Sequence, residues 1–253
     1  MHPTDAIVGL DDQILITGAS GFIGKRVIAS LLRHGFRRIR CLVRPSSDHR
    51  AIEELADHYR ETARVEIMTG NLLSREDCAG AVRDAAVIYH LAVGAGGKSF
   101  ADSFVGAVIT TRNLVEASLR DGSLRRFVNI SSFAVYTNRN KPKRRWLDER
   151  CEVEPQPESC GEAYCYAKVK QDDLIRDYGE KHGLRYVILR PGSVYGPGKT
   201  EITGRVGLGT FGLFLHLGAS NTVPFTYVDN CADAIVLAGW KPRIDGEVFN
   251  IVH

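Results

Sequence analysis

Three glycines spaced three residues apart, directly after an apolar run, place the strongest constraint on how this chain folds. Residues 13–17 (QILIT) read as a buried strand, and Gly18, Gly21 and Gly24 lead into an amphipathic helical pattern at 22–34. Gly18 permits a tight turn, Gly21 lets a ligand approach the backbone, and Gly24 lets the helix pack closely on the strand. Because a helix N-terminus offers N–H groups and partial positive charge, the junction suits a dinucleotide pyrophosphate. The alternative is a turn with a purely structural role.

The rest of the chain alternates short apolar runs with longer helical patterns. Strands are predicted at 13–17, 39–43, 65–68, 87–91, 127–130 and 186–189, and helices at 22–34, 49–60, 75–82, 104–120, 163–182 and 232–240. Strands separated by helices of this length indicate βαβ units and a parallel sheet. We therefore expect an α/β fold with a doubly wound parallel sheet. Its dinucleotide-binding domain is predicted at 1–190, with a small, incomplete substrate lobe intertwined with it at 191–253.

Composition argues against several classes of protein. The formal net charge of +3 is too small to indicate nucleic-acid binding, and the short basic stretch at 139–145 is predicted to be a solvated loop or a contact for an anionic substrate. No segment approaches the ~18 uninterrupted apolar residues of a membrane span. The eight histidines show no metal-binding spacing, so no metal is expected. Six scattered cysteines and the lack of a secretory signal predict reduced thiols and a cytoplasmic protein.

The segment TGASGFIG at 17–24 resembles the short-chain dehydrogenase/reductase superfamily, in its extended branch, the NAD-dependent epimerase/dehydratase family. Further matches are the segments at 70–72 (GNL), 90–92 (HLA), 111–114 (TRNL), 189–198 (LRPGSVYGPG) and 226–230 (TYVDN). The family's Asn upstream of the TRNL segment falls on Ala107 here. The resemblance implies a Rossmann-type fold. The predicted cofactor-binding residues are Gly18, Ser20, Gly21, Phe22, Ile23, Gly24, Arg44, Asn71, Leu72, Leu91, Ala92, Val93, Tyr164, Lys168, Pro191 and Val194.

The end of the second predicted strand bears on which dinucleotide is bound. In such folds an acidic residue about 20 positions past the glycines usually holds the ribose 2′-hydroxyl of NAD. Arg44 stands near that position, with Ser46 and Ser47 beside it. A guanidinium can bind a 2′-phosphate through two hydrogen bonds, so NADP is favoured. NAD stays possible, because Arg44 could instead stack on the adenine of either cofactor.

A Tyr and a Lys four residues apart are the candidate catalytic pair. Tyr164 and Lys168 share one face of the predicted helix, and a nearby ammonium favours the phenolate of a tyrosine, whose pKa is otherwise roughly 10. The resemblance implies that Tyr164 is the general acid/base, that Lys168 lowers its pKa and binds the nicotinamide ribose, and that Ser132 orients the substrate. Tyr166 is predicted to point elsewhere. The alternative is a surface tyrosine beside a solvated lysine.

These patterns predict an NAD(P)-dependent enzyme that acts by hydride transfer, with a nucleotide-activated sugar as its substrate. The segments at 195–198 and 228–230 favour this sugar-nucleotide branch, whereas Arg44 favours an NADP-dependent reductase of a small carbonyl compound. A non-catalytic NAD(P) sensor is a further alternative, although such relatives usually lack the Tyr/Lys pair. The resemblance also implies a homodimer formed through the helices at 104–120 and 163–182, without nucleic-acid or membrane partners.

Overall fold

A computed structural model describes residues 6–93, 99–137, 147–159, 161–199, 207–210, 213–216 and 223–252. The basic stretch at 139–145 lies outside these residues. The strands are β1 (Gln13–Thr17), β2 (Arg38–Val43), β3 (Arg64–Thr69), β4 (Ala85–His90), β5 (Arg126–Ile130), β6 (Tyr186–Pro191), β7 (Ser193–Tyr195), β8 (Gly207–Thr210), β9 (Leu213–His216), β10 (Phe225–Tyr227) and β11 (Val248–Ile251). The α-helices are α1 (Phe22–Arg33), α2 (Arg50–His58), α3 (Arg75–Val82), α4 (Phe100–Phe104), α5 (Thr110–Asp121), α6 (Ala163–His182) and α7 (Val228–Trp240).

Seven strands form one parallel sheet in the order β11-β6-β5-β4-β1-β2-β3. The chain builds outward from β1 through β2 to β3, then returns to the other side of β1 and continues through β4, β5 and β6. The order therefore reverses between β1 and β4, which is where doubly wound sheets form their ligand crevice. The predicted fold class is confirmed.

The central strand β1 is buried on both faces, which explains its uninterrupted apolar sequence. Ile14 and Ile16 pack in a core with residues of α1 and α7, including Ile28 and Ile235. Leu15 faces the opposite side and packs in a second core with residues of α3, α5 and α6. Alternate side chains of one strand thus hold the helical layers on both faces of the sheet.

Two helical segments begin four residues earlier than predicted. The predicted start of the helix at 104–120 is wrong, because the helical segment begins at Phe100. Ser99 caps it there by accepting a hydrogen bond from the Asp102 N–H at 3.0 Å. A π-helical turn at Val105–Ile109 joins α4 and α5, so the helical segment is continuous from Phe100. The helix expected at 232–240 begins earlier, at Val228, whose side chain is fully buried.

The segment at 191–253 contributes to both parts of the fold. β7 pairs with β10 in parallel, and β8 pairs with β9 in an antiparallel hairpin, both outside the large sheet. In contrast, β11 is the edge strand of the large sheet beside β6, and α7 packs on α1. The domain boundary at 190 stays a prediction. Within the residues that the structure describes, no helix is both long and apolar enough to cross a membrane.

We predict that Gly24→Ala lowers the free energy of unfolding by about 2–3 kcal/mol, because overpacking against backbone cannot be relieved by a rotamer change. A Cβ at Gly24 in α1 would lie 2.3 Å from the Gly18 carbonyl oxygen. Gly80→Ala in α3 is the matched control, since its Cβ would meet only the mobile Cε of Met68 at 3.0 Å. Urea unfolding should leave the Gly80→Ala variant at least as stable as the unmodified chain. Equal stability of the two variants would contradict this account of the turn.

Candidate active site

A cavity of 440 Å³ lies where the carboxyl ends of β1, β4, β5 and β6 meet the start of α6. The structure brings all three predicted catalytic residues and most of the predicted cofactor-binding residues onto its wall. The predicted residues that line it are Gly18, Gly21, Phe22, Ile23, Gly24, Leu91, Val93, Ser132, Tyr164, Lys168, Pro191 and Val194. Residues from distant parts of the chain therefore share one concave site, as expected at the carboxyl edge of a parallel sheet.

Five predicted cofactor-binding residues lie off this wall: Ser20, Arg44, Asn71, Leu72 and Ala92. Arg44 is exposed at the end of β2, and Ser20 is half-buried within the glycine turn. The backbone N–H of Asn71 donates to the Asp77 carboxylate at 2.7 Å, which fixes the loop after β3. Leu72 is buried, so its side chain belongs to the core.

The glycine turn has the geometry of an anion-binding junction. Gly18 has a φ of +69°, and a Cβ there would lie 2.8 Å from the backbone nitrogen of Ala92. The Gly21 N–H donates to the Gly18 carbonyl at 3.0 Å, which closes the turn. Among the residues that the structure describes, no side chain caps the N-terminus of α1, and the helix's first residues, Phe22 and Ile23, line the cavity. The positive end of α1 is therefore available to a phosphate group.

The two serines that follow β5 have different partners. The Ser131 hydroxyl donates to the Asp172 carboxylate at 2.9 Å, and Asp172 also accepts from the Arg190 guanidinium at 3.1 Å. Burial raises the pKa of Asp172, and its ion pair with Arg190 opposes that shift. The Ser132 oxygen accepts a hydrogen bond from the Ala134 N–H at 3.1 Å. Ser131 thus anchors β5 to α6 and β6, while the Ser132 hydroxyl hydrogen is left for a ligand in the cavity.

Lys168 is only 1% exposed, yet it reaches the cavity wall from inside the protein. Its ammonium donates to the Ile130 carbonyl at 2.7 Å and to the Gln171 side-chain oxygen at 2.9 Å. Burial lowers the pKa of Lys168 to about 8, and the charge of Asp172 opposes that shift. A lysine with this pKa changes its charge close to neutral pH, which suits a group that tunes a neighbouring acid.

Tyr164 and Tyr166, near the start of α6, face different surroundings. Tyr164 is 45% exposed and lines the cavity together with Lys168. The Tyr166 ring packs against Phe100 and Phe104, with ring centroids 5.3 and 6.1 Å away. Tyr166 therefore packs away from the cavity, and Tyr164 is the one of these two tyrosines that lines it.

Sequence reasoning missed a buried polar chain behind the cavity. The Gln171 amide nitrogen donates to Thr111 Oγ1 at 2.7 Å, and Thr111 Oγ1 lies 2.8 Å from His90 Nε2. His90 Nδ1 lies 2.7 Å from Thr17 Oγ1, directly before the glycine turn. Burial, followed by the charge of Lys168, lowers the pKa of His90 to about 3, so this imidazole is neutral. A polar residue three positions after Lys168 on the same helical face was the available signal.

Lys199 is a second cation on the cavity wall that the sequence did not identify. Backbone hydrogen bonds between Gly196 and Lys199 close a turn around Pro197 and Gly198. This turn places the Lys199 ammonium 5.7 Å from the centre of the Phe22 ring, near the N-terminus of α1. Among the residues that the structure describes, no group of three or more His, Cys, Asp or Glu side chains is arranged to hold a metal ion.

We predict opposite pH dependences of stability for two lysines of α6. Because the pKa of Lys168 is about 8 in the fold, against an ordinary value of 10.5 for a lysine, the unfolded chain binds more protons between these pH values. The unmodified chain should therefore gain up to on the order of 3 kcal/mol over the Lys168→Met variant as pH rises from 8 to 10.5.

Lys170→Met is the matched control for this experiment. Lys170 forms an ion pair with Glu158 at 2.7 Å, which raises the pKa of Lys170. Its contribution is present below pH 10.5 and is lost as pH rises through the higher folded pKa, so the trend has the opposite sign. Urea unfolding at a series of pH values measures both differences. A pH-independent difference for Lys168→Met would contradict the assignment of a buried ammonium.

The chain is similar in sequence to proteins that carry the names of an epimerase and of a reductase. It is 27% identical over 252 residues to an uncharacterized UDP-glucose epimerase of Bacillus subtilis (strain 168), covering 94% of this chain and 76% of that protein. It is 28% identical over 193 residues to a cinnamoyl-CoA reductase of Oryza sativa subsp. japonica, covering 75% of this chain and only 55% of that one. The relatives thus include both a sugar-nucleotide enzyme and a reductase.

A solved structure and a family match agree with this similarity. The UDP-glucuronic acid 4-epimerase of Bacillus cereus, solved with UDP-glucuronic acid and NAD, superposes with a TM-score of 0.73 at 26% identity, covering 95% of this chain and 77% of that one. Residues 14–251 match the family described as the NAD dependent epimerase/dehydratase family. The chain therefore belongs to the NAD-dependent epimerase/dehydratase family of the extended short-chain dehydrogenases/reductases.

Proposed function

We propose that the chain oxidises and reduces a nucleotide-activated sugar by reversible hydride transfer, with Tyr164 as the general acid/base. The observation that carries this proposal is the shared cavity wall. Ser132, Tyr164 and Lys168 line the same 440 Å³ space as the glycine turn. A proton-transfer group, a cation that tunes it and a phosphate-binding junction therefore open onto one volume.

The residues present fit a dinucleotide. A Cβ at Gly18 or Gly24 would collide with backbone atoms within 3 Å, so the turn and α1 pack together at the distance that the motif requires. The N-terminus of α1 lacks a side-chain cap and can hold a pyrophosphate, with Gly21, Phe22 and Ile23 around it. When bound, the dinucleotide supplies the acceptor or donor of the hydride.

The chain's own residues carry the proton transfer. The Ser132 oxygen accepts a hydrogen bond from the Ala134 N–H, and its hydroxyl hydrogen can be donated to a substrate oxygen. As a substrate hydroxyl is oxidised, the Tyr164 phenolate takes the hydroxyl proton, and it returns that proton when the carbonyl is reduced. The Lys168 ammonium favours the phenolate by its charge, and the burial of Lys168 increases that interaction.

A nucleotide sugar is the substrate class that the relatives support. The Bacillus subtilis and Bacillus cereus proteins carry the names of UDP-sugar epimerases. Lys199 adds a positive charge at the cavity wall, where it suits an anionic ligand. The second candidate is an NADP-dependent reductase of a small carbonyl compound. It is favoured by Arg44 and by the reductase relative from Oryza sativa.

We predict that Tyr164→Phe abolishes turnover and leaves dinucleotide affinity within a factor of about two, because the phenol moves the proton and α1 holds the phosphates. UDP-glucose and UDP-glucuronic acid are the probes, and chromatography of the sugar products is the measurement. Tyr166→Phe is the matched control and should turn over normally, since the Tyr166 ring packs on Phe100. Turnover by the Tyr164→Phe variant would remove Tyr164 from the mechanism. If the unmodified chain turns over neither probe but oxidises NADPH when small aldehydes are supplied, the reductase is supported.

NADP is proposed as the preferred cofactor, because Arg44 is exposed at the end of β2 and no carboxylate stands in its place. The Bacillus cereus neighbour was solved with NAD, so the preference needs a direct test. After denaturation to detect co-purified cofactor, calorimetric titration should show NADP⁺ binding at least tenfold tighter than NAD⁺, about 1.4 kcal/mol. Arg44→Ala should abolish this difference by weakening NADP⁺ alone. Tight, co-purifying NAD would support an epimerase cycle and an adenine contact for Arg44.

The homodimer and the cytoplasmic location stay predictions. The two helical segments expected at the dimer interface, 104–120 and 163–182, lie side by side, since the ring of Phe104 contacts the ring of Tyr166. Phe100 and Val105 are exposed at 37% and 41%. Exposed apolar side chains on neighbouring helices are what such an interface would use.

A further inference from the structure

We propose that Gln171 is a positioning residue for Lys168, and that it links the lysine through Thr111 and His90 to the strand that carries the glycine turn. The inference rests on the proposed role of Lys168 in the hydride-transfer site. Gln171 does not line the cavity, so it acts only through its neighbours. Its side chain lies between the Lys168 ammonium at 2.9 Å and Thr111 Oγ1 at 2.7 Å.

The donors and acceptors in this series of hydrogen bonds have one consistent arrangement, which Thr111 determines. The Thr111 hydroxyl has a single hydrogen, which it donates to the Ala107 carbonyl at 2.5 Å. Thr111 Oγ1 must therefore accept from both other partners, His90 Nε2 and the Gln171 amide nitrogen, 2.8 and 2.7 Å away. The Gln171 amide cannot flip, because its oxygen would then face the oxygen of Thr111. Its oxygen is left to accept from the Lys168 ammonium.

The same logic extends from His90 to β1. Because His90 Nε2 carries the proton, Nδ1 is an acceptor, and the Thr17 hydroxyl donates to it at 2.7 Å. The Thr17 oxygen is then free to accept the N–H of Ala92 at 3.3 Å. The low pKa of His90 agrees with a neutral imidazole that has one donor and one acceptor nitrogen. The series of hydrogen bonds therefore continues without interruption from Thr17 to Lys168.

Because these polar groups are buried, each of them needs its hydrogen-bond partners within the protein. Thr17, Thr111 and Gln171 are fully buried, and His90 and Lys168 are each 1% exposed. A buried polar group without a partner costs free energy, so the members hold one another in place. Water cannot substitute for a lost partner without opening the core.

For the site, these hydrogen bonds determine the direction in which the third N–H bond of the Lys168 ammonium points. A lysine ammonium has three hydrogens, and Ile130 and Gln171 accept two of them. The third is left for the cavity, which Lys168 lines together with Tyr164. The titratable groups around the Lys168 amine are His90 from β4 and Asp172 from α6, and Asp172 is paired with Arg190. His90 is neutral, and the Ile130 carbonyl and the Gln171 amide oxygen are uncharged acceptors that hold the ammonium without cancelling its charge.

The test measures the pKa of Tyr164 directly and needs no substrate. Phenolate absorbance is titrated with pH in the full chain and in its Tyr164→Phe variant, and the difference isolates this one tyrosine. The same pair is then measured with Gln171→Met, which keeps the side-chain length and removes both hydrogen bonds. We expect the pKa of Tyr164 to rise by about one unit, the size expected when a charged group loses one hydrogen bond. An unchanged pKa of Tyr164 in a folded Gln171→Met variant would overturn the proposal.

Two further variants separate positioning from a general loss of stability. Ser118→Ala removes a buried hydroxyl from α5, where it donates to the Val115 carbonyl, and should leave the pKa of Tyr164 unchanged. Gln171→Glu keeps an acceptor for the Lys168 ammonium and adds a negative charge beside it. It should raise the pKa of Tyr164 by less than Gln171→Met does. If the Met variant does not fold, Thr111→Val decides instead, because it removes the contact that orients the Gln171 amide, and an unshifted pKa of Tyr164 in it would overturn the proposal.

Turnover assays distinguish this proposal from the proposed function. With UDP-glucose as probe, Gln171→Met should lower kcat about tenfold while KM changes less than threefold, since the substrate contacts are unaltered. If the unmodified chain turns over no nucleotide sugar and the pKa of Tyr164 still rises in Gln171→Met, the proposed substrate class fails and the positioning role stands. If the unmodified chain turns over the nucleotide sugar and the pKa of Tyr164 is unshifted in Gln171→Met, the proposed substrate class stands and the positioning role fails.

Discussion

The close approach of backbone to backbone at the glycine turn is the constraint on which the site depends. Gly24 of α1 lies against the Gly18 carbonyl, and Gly18 in turn lies against the backbone of Ala92 after β4. Backbone hydrogen bonds fix the spacing of β1 and β4, and the glycine contacts set the distances from the end of β1 to α1 and to the segment after β4. Because the strand order reverses between β1 and β4, they also set the width of the crevice there. The N-terminus of α1 faces the cavity only because no side chain separates these backbones.

The buried polar groups beneath the cavity follow from that geometry. Lys168 gains access to the cavity at the expense of solvation, and Ile130 and Gln171 replace the water that its ammonium loses. The ion pair of Asp172 and Arg190 performs a comparable task one turn further along α6, where it joins the ends of β5 and β6. Buried polar clusters of this kind specify one arrangement of their members, since each unpaired alternative is costly.

Sequence patterns were sufficient to predict the elements in which apolar residues recur with a regular local period. β1 was predicted with its observed bounds, and α3 and α6 were as well, because apolar periodicity records which face is buried. The start of α4 was missed, since Ser99 and the π-helical turn break the pattern of apolar residues there. Tyr164 and Lys168 were recognised because their spacing is local to one helix. Their shared cavity with Ser132 also requires β5, which lies more than 30 residues earlier.

By itself, the sequence determined the alternating α/β plan, the glycine turn and the Tyr/Lys pair, because each depends on residues within one element or one junction. Only the tertiary structure decided which polar groups meet. Gln171 contacts Thr111, and Thr111 contacts His90, across gaps of 60 and 21 residues. It also decided that the hydroxyl of Ser131 donates to Asp172, whereas the Ser132 oxygen accepts from the Ala134 N–H, although both serines line the cavity. The physical reason is that a hydrogen bond depends on the distance between two atoms in space, which no local periodicity encodes.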